Sequence, residues 1–504
     1  MRKNLISIFI YMLLASCGDF LEPKSTSEFV PKDATSLNEI ILGDAYPRPD
    51  DRIAINTFLG VFEDDVTCSD WAPDPNNEDK VPALEAAYAW QPDMFERFQK
   101  AGIFANTYNI WQNIYRKLLG ANAVLDYIGK ASGTEYERNN VKAQGYALRA
   151  FYHFYLVNIF GVPYNDNKTG PGIPIRTSSG MEDKEMKRNT VEEVYRQIVS
   201  DLLEAEKQYK TLPVDKQWQM DFRTSLPMVQ LLLSRVYLYM EDWENAALYA
   251  EKVINDWNFR LHDLNSLPEP TFMEPYYNFI SSKSSECIWL FGSSSDMNYF
   301  IDEEWNVWDD ERCILRVSDD LLNSYIPGDL RKERYMVQER WYDEYYKPFS
   351  KVKISYRHYP ESDTEFARAF RLPEAYLNLA EAKAMLYKIN GDAAARTVAL
   401  EKLNYLRLYR FDPEQYEKKD ISNPDDLVTF IREERRRELC FENHRWFDLR
   451  RYGMPEIRHK WSQDENVTVE YVLKAKDPGY TIPIPPEALE KNKALEQNVL
   501  APVR

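Results

Sequence analysis

Residues 228–256 read MVQLLLSRVYLYMEDWENAALYAEKVIND. Val229, Leu232, Val236 and Met240 recur at three- and four-residue steps, the repeat of one face of an α-helix. Glu241-Asp242 interrupts the pattern. Trp243, Ala246, Ala250 and Val253 then start a second apolar face. Two short helices joined by a two-residue break cannot bury these faces alone, so each must pack against the other and against further helices.

A similar pair recurs downstream. Leu372, Tyr376, Leu379, Ala382 and Leu386 line one helix, Gly391-Asp392 makes the turn, and Ala395, Ala399 and Leu403 open the next. An aromatic, then alanine, a small residue and an aliphatic residue at helical steps is the second-helix pattern of a tetratricopeptide repeat, where small side chains allow close approach. Upstream, Ile110, Ile114, Leu118, Ala121, Leu125 and Ile128 mark one long helix. Val141, Gly145, Leu148, Tyr152, Tyr155 and Ile159 mark another, which ends at Gly161 and Pro163. Thr190, with Glu193 three residues on, predicts a capped helix to about Tyr209. The expected class is mostly α, with tetratricopeptide-like helical pairs and a loop-rich ligand-binding half.

Long irregular stretches separate the helical blocks, from about Phe58 to Trp90, His262 to Arg316, and Arg340 to Pro360. The last is rich in tyrosine and charge and suits a hairpin. Loops of this length in a compact protein usually carry function.

The N-terminus sets the compartment. Arg2 and Lys3 precede an apolar run from Leu5 to Leu14, too short to span a bilayer and fit for a signal peptide. Leu14-Ala15-Ser16-Cys17 then places small residues before a lone cysteine. The order predicts a lipoprotein: residues 1–16 removed, Cys17 acylated, residues 17–30 a polar tether, and the chain anchored to a membrane without crossing it. Residues 31–504 are expected to form one unit, helical over about 31–260 and loop-rich then helical over about 261–504.

Composition excludes several classes. A formal net charge of −18 argues against nucleic acid, which needs a basic stripe. Cys68, Cys287, Cys313 and Cys440 are scattered without a CxxC, so they predict buried thiols, with Cys287–Cys313 the one pair worth checking as a disulfide. No HExxH, GxSxG, P-loop or dinucleotide fingerprint occurs. His153, His262, His358, His444 and His459 show no metal-ligand spacing. Asp74, Asn76 and Glu78 alternate like calcium ligands but lack the glycine and distal glutamate of an EF-hand loop. Adjacent carboxylates such as Asp64-Asp65 arise readily among 81 acidic residues and do not identify a glycosidase. Neither enzyme activity, metal nor cofactor is expected.

Six strings point one way: CGDFLEPKSTSEF (17–29), YNIWQNIYRKLLGANAVLDYI (108–128), VKAQGYALRAFYHFYLVNIFGVPY (141–164), RLPEAYLNLAEAKA (371–384), REERRRELCFENHRWFDLRRYG (432–453) and TIPIPPEAL (481–489). Together, and in this order, they resemble the SusD/RagB family of outer-membrane nutrient-binding lipoproteins of the Bacteroidetes. The resemblance implies an exterior-facing, lipid-anchored protein of the outer membrane. It also implies a SusC-like TonB-dependent transporter as partner, and an oligosaccharide ligand, or a peptide in some members. A repeat scaffold that binds only proteins is the remaining alternative.

The charged C-terminal string also has a physical reading. Glu442, Arg445, Trp446, Asp448 and Arg450 mix charge with aromatics at helical spacing. They predict a buried ion-pair and stacking network that locks the last helix to the core, since arginine suits paired, stacked geometry. Ligand candidates come from the aromatic loops, because sugars lay their C–H faces on flat rings and bond their hydroxyls to charged groups. Trp71, Trp90, Tyr299, Trp305 and Trp308 are the candidate platforms, with Asp65 and Arg312 as polar partners.

Overall fold

The computed structural model describes residues 31–49, 55, 59–68, 80–102, 109–180, 185–267, 277–293, 315–338, 346–347, 366–464 and 467–504. Cys17, Trp71, Tyr299, Trp305, Trp308, Arg312 and Cys313 lie outside them, as do Asp74, Asn76 and Glu78.

Side-chain caps set where the helices begin. The Thr190 hydroxyl accepts from the Glu193 amide at 3.2 Å, and the Glu193 carboxylate accepts from the Thr190 amide at 2.9 Å. This reciprocal cap satisfies two amides that the first turn would leave bare, and the helix runs Val191–Tyr209 as its spacing predicts. Thr134 and Glu137 start Glu135–Phe160 the same way. Gly391 ends Leu372–Asn390 at φ +69°, and its amide donates to Tyr387. That left-handed turn disfavours any residue with a Cβ.

The helices of the array are α1 (Ile110–Ile128), α2 (Glu135–Phe160), α3 (Val191–Tyr209), α4 (Leu226–Tyr239), α5 (Trp243–Asp256), α6 (Leu372–Asn390), α7 (Ala393–Leu408), α8 (Pro424–Leu439) and α9 (Arg445–Arg451). Each of the first six packs on the next, and α8 packs on α6. The two helical pairs read from the sequence are therefore neighbours, α5 against α6, despite the long segment between them. Val229, Leu232, Val236, Ala246, Ala250 and Val253 are all fully buried in the first pair, and Leu379, Ala382 and Ala399 in the second. Ser234 donates to the Ala246 carbonyl at 2.8 Å, a contact that small residues allow. The arrangement is compatible with tetratricopeptide-like pairing. No helix among the described residues is long and apolar enough to cross a membrane.

Short ladders join the irregular segments to this array. β1 (Val66–Cys68) pairs antiparallel with β3 (Leu315–Val317), and β2 (Cys287–Ser293) with β4 (Phe366–Arg371). β5 (Ile457–Asp464) and β6 (Val467–Leu473) form a hairpin. Val337–Gln338 pairs with Tyr346–Lys347, a hairpin beginning just ahead of the stretch where one is expected. Cys68, Cys287 and Cys440 are buried.

Candidate functional site

The β1–β3 register decides which loops share a neighbourhood. Cys68 pairs with Leu315, Thr67 with Arg316 and Val66 with Val317. The chain beyond Cys68 enters the first aromatic stretch, and the chain before Leu315 leaves the second. Their inner ends thus start side by side, although they are far apart in sequence.

Ion pairs fix this ladder to the last helices. Arg436 of α8 donates to Asp65 at 2.6 Å and to Asp320 at 2.6 Å. Arg445 of α9 grips Asp64 with two bonds of 2.7 Å, the planar two-point geometry that favours arginine. Burial works to raise the Asp64 carboxyl, but the Arg445 bonds and the charges of Arg445 and Arg436 hold it well below the usual range. Asp65 goes the other way: burial raises it, and Arg436 only partly compensates. Glu63 is raised well above the ordinary carboxylate value by burial and by the adjacent Asp65 and Asp64. Neither Glu63 oxygen has a hydrogen bond.

Two ligand candidates consequently sit inside the protein. Asp65 is fully buried and bound to Arg436, so its carboxylate is spent on fastening the ladder. Trp90 is 3% exposed; its indole donates to the Phe62 carbonyl at 3.1 Å and its ring stacks on His459 at 4.2 Å. Neither offers a face to a ligand from solvent, and the physical reason is the same. Each completes an interior contact with the C-terminal segment that closes over it. In the second aromatic stretch, Tyr277 stacks on His262 at 4.7 Å, and Asn278 is buried with its side chain accepting from the Ile280 amide. Trp71, Tyr299, Trp305, Trp308 and Arg312 belong to the segments outside the description.

The C-terminal network forms as its sequence predicts. Trp446 stacks on Tyr480 at 5.1 Å, with the rings 11° apart. Asp448 binds Arg435 at 2.9 Å and Arg451 at 2.7 Å. Glu442 binds Arg371 at 2.6 Å, and Arg371 also reaches Glu286 at 2.7 Å. Arg410 links Glu286 at 2.6 Å to Glu438 at 2.9 Å. Arg450 has a different partner type: it donates to the carbonyls of Asn158 and Gly161 at the end of α2. The negative end of the helix dipole suits a cation there, while burial lowers Arg450 to about 10. His153 is buried and burial lowers it to about 3, as befits a core histidine. His459 is a residue that sequence reasoning passed over. Its surroundings come from segments near residues 63 and 88–90, so no local spacing signals it. Among the described residues no group of three His, Cys, Asp or Glu could hold a metal ion.

Two family models match this chain, one described as "Starch-binding associating with outer membrane" over residues 55–238 and one as "SusD family" over residues 331–500. Together they cover more than half of it. The chain belongs to the SusD family. SusD-like protein P2 of Formosa agariphila is 28% identical over 384 residues, 68% of this chain and 70% of the relative. A solved SusD superfamily protein from Bacteroides vulgatus superposes with a TM-score of 0.70 at 21% identity, covering 94% of this chain and all of the other. A solved SusD-like carbohydrate binding protein from the same species gives 0.65 at 20% identity, covering 92% and 97%. These likenesses fix the fold as that of the SusD superfamily.

Proposed function

We propose that this SusD-family protein captures an oligosaccharide outside the cell and passes it to a SusC-like TonB-dependent transporter, without catalysing a reaction. Cys17 anchors it to the outer membrane by its acyl chains. The ligand platform is built from Trp71, Trp305 and Trp308, with Tyr299 and Arg312 beside them.

The observation that carries this reading is the Cys68–Leu315 pairing. Trp71 follows Cys68 by three residues and Arg312 precedes Leu315 by three. Three residues reach at most about 11 Å, so chain connectivity tethers both to the same ladder end. Burial of the rival candidates narrows the platform to the remaining residues. Family membership supports the glycan, since one matching model carries a starch-binding description and a structural neighbour is named a carbohydrate binding protein. The resemblance to the SusD/RagB family supports the transporter as partner, since it implies a SusC-like channel that takes the cargo.

The test is calorimetry with a panel of oligosaccharides and peptides on Trp71→Ala, Trp305→Ala and Trp308→Ala, with thermal melts as control. Loss of a stacking platform should weaken binding by about 2 kcal/mol or more and leave the melt unchanged. Wild-type affinity in all three variants would move the site elsewhere. Binding of peptides and not sugars would replace the ligand class while keeping the fold.

A further inference from the structure

Three segments distant in sequence meet at one imidazole. His459 lies on β5 and is 2% exposed. Its Nδ1 is 2.7 Å from the Tyr88 carbonyl oxygen, and its Nε2 is 3.0 Å from the Glu63 carbonyl oxygen. Carbonyl oxygens only accept. A neutral imidazole has a single N–H, so it would satisfy one carbonyl and aim a lone pair at the other. An imidazolium satisfies both.

The rings around it favour the same state. Tyr88 stacks on His459 with centroids 4.0 Å apart and planes 17° apart, and Trp90 does so at 4.2 Å and 25°. Aromatic faces carry negative charge density and attract a cation. Trp90 reaches this position with φ +50°, a conformation that bulky residues rarely adopt. The Trp90 indole bond to Phe62 and the Arg504 bond to the Trp90 carbonyl at 3.0 Å hold it there.

The charged groups facing the site can be named. Asp64 favours a charged ring. Glu63, whose carbonyl accepts from His459, carries a buried carboxyl with no hydrogen bond and is flanked by Asp64, Asp65, Arg445 and Arg368. Arg504 stands 6.0 Å from the Trp90 ring. Burial opposes protonation of His459 and by itself outweighs the carbonyls and Asp64, drawing the ring down to about 4. Two features of the site oppose burial: the stacked rings attract a cation, and a neutral ring would aim a lone pair at a carbonyl oxygen. Both act toward the cation.

We propose that His459 is carried as an imidazolium and acts as a proton-dependent clamp, joining the segment that leads into β1 to the β5–β6 hairpin. The inference is independent of what the aromatic loops bind. A histidine held above its unfolded value of about 6.5 contributes stability that is complete below that pH and is lost as pH rises through the folded value.

The experiment is nitrogen-15 NMR of the full chain in detergent, labelled at histidine, from about pH 5 to about pH 9. One histidine should keep protons on both ring nitrogens at about pH 8, and its signal should vanish in His459→Gln. If that variant does not fold, single glutamine replacements of the other four histidines assign the signal by elimination. The wild-type melting midpoint should fall as pH rises through the titration, and His459→Gln should lose that slope. A wild type whose five histidines are all neutral at about pH 8 overturns the proposal. So does a doubly protonated histidine other than His459.

Discussion

The two helical pairs of the array both pack through apolar faces, and the second adds an ionic interior. In α4–α5 the contact faces are Val229, Leu232, Val236, Ala246, Ala250 and Val253, all fully buried and apolar. Around α6–α9 an apolar cluster of Ala380, Ala384, Ala399, Leu403 and Ile431 is joined by an ionic one: Arg371, Arg410, Arg435 and Arg451 are buried among Glu286, Glu381, Glu438, Glu442 and Asp448. A buried pair, Arg235–Glu374 at 2.6 Å, links the halves, with the Arg235 guanidinium 4.0 Å above the Phe370 ring. An apolar seam gains from burial itself and tolerates many shapes. A buried ion pair gains little net, because leaving water offsets the attraction, yet it is strict about geometry. The apolar half thus supplies cohesion. The ionic half fixes where α8 and α9 sit, and through Arg436 and Arg445 it fixes the ladder at the root of the aromatic loops.

The sharpest way to break this comparison is to strand a charge. Arg371→Met removes the guanidinium that binds both Glu442 and Glu286 and should cost about 3–5 kcal/mol, read as a shift of the denaturation midpoint. A cost under about 1 kcal/mol would mean that the network is not holding the fold. In the apolar half, Leu232→Ala should cost about 3 kcal/mol by opening a cavity. It should leave the pH dependence of stability unchanged; a changed profile would show that the two halves are coupled electrostatically.

Acid should separate the halves. Burial works to raise Glu381 and Glu434, but the charges of Arg451 and Arg432 on one, and of Arg331, Arg437 and Arg407 on the other, hold both at about 2. Carboxyls depressed in this way give stability that is present above the unfolded value of about 4.3 and lost as pH falls toward the folded one. Hydrogen exchange at about pH 3 should therefore open α6–α9 before α4–α5. Simultaneous opening would remove the distinction. The smallest effect expected is from the cap of α3. Thr190→Ala should cost about 1 kcal/mol and fray only the first turn, as seen by exchange of the amides after Thr190.

The sequence by itself determined what depends on neighbours three or four residues away. The apolar steps of α4 and α5, the Thr190–Glu193 cap and the turn at Gly391 are local, and each appears where its spacing puts it. The ionic reading of the C-terminal string was legible too, because arginines and carboxylates crowded beside Trp446 have few stable homes other than one another. Tertiary structure alone decided the surroundings of Asp65, Trp90 and His459. A tryptophan or aspartate in a loop reads the same whether it faces solvent or another segment. Asp65 is claimed by Arg436, and Trp90 by His459, across hundreds of residues. The pairing of Cys68 with Leu315 is equally long-range. Such contacts form only when the whole array has brought their elements together, so nothing in the local pattern records them.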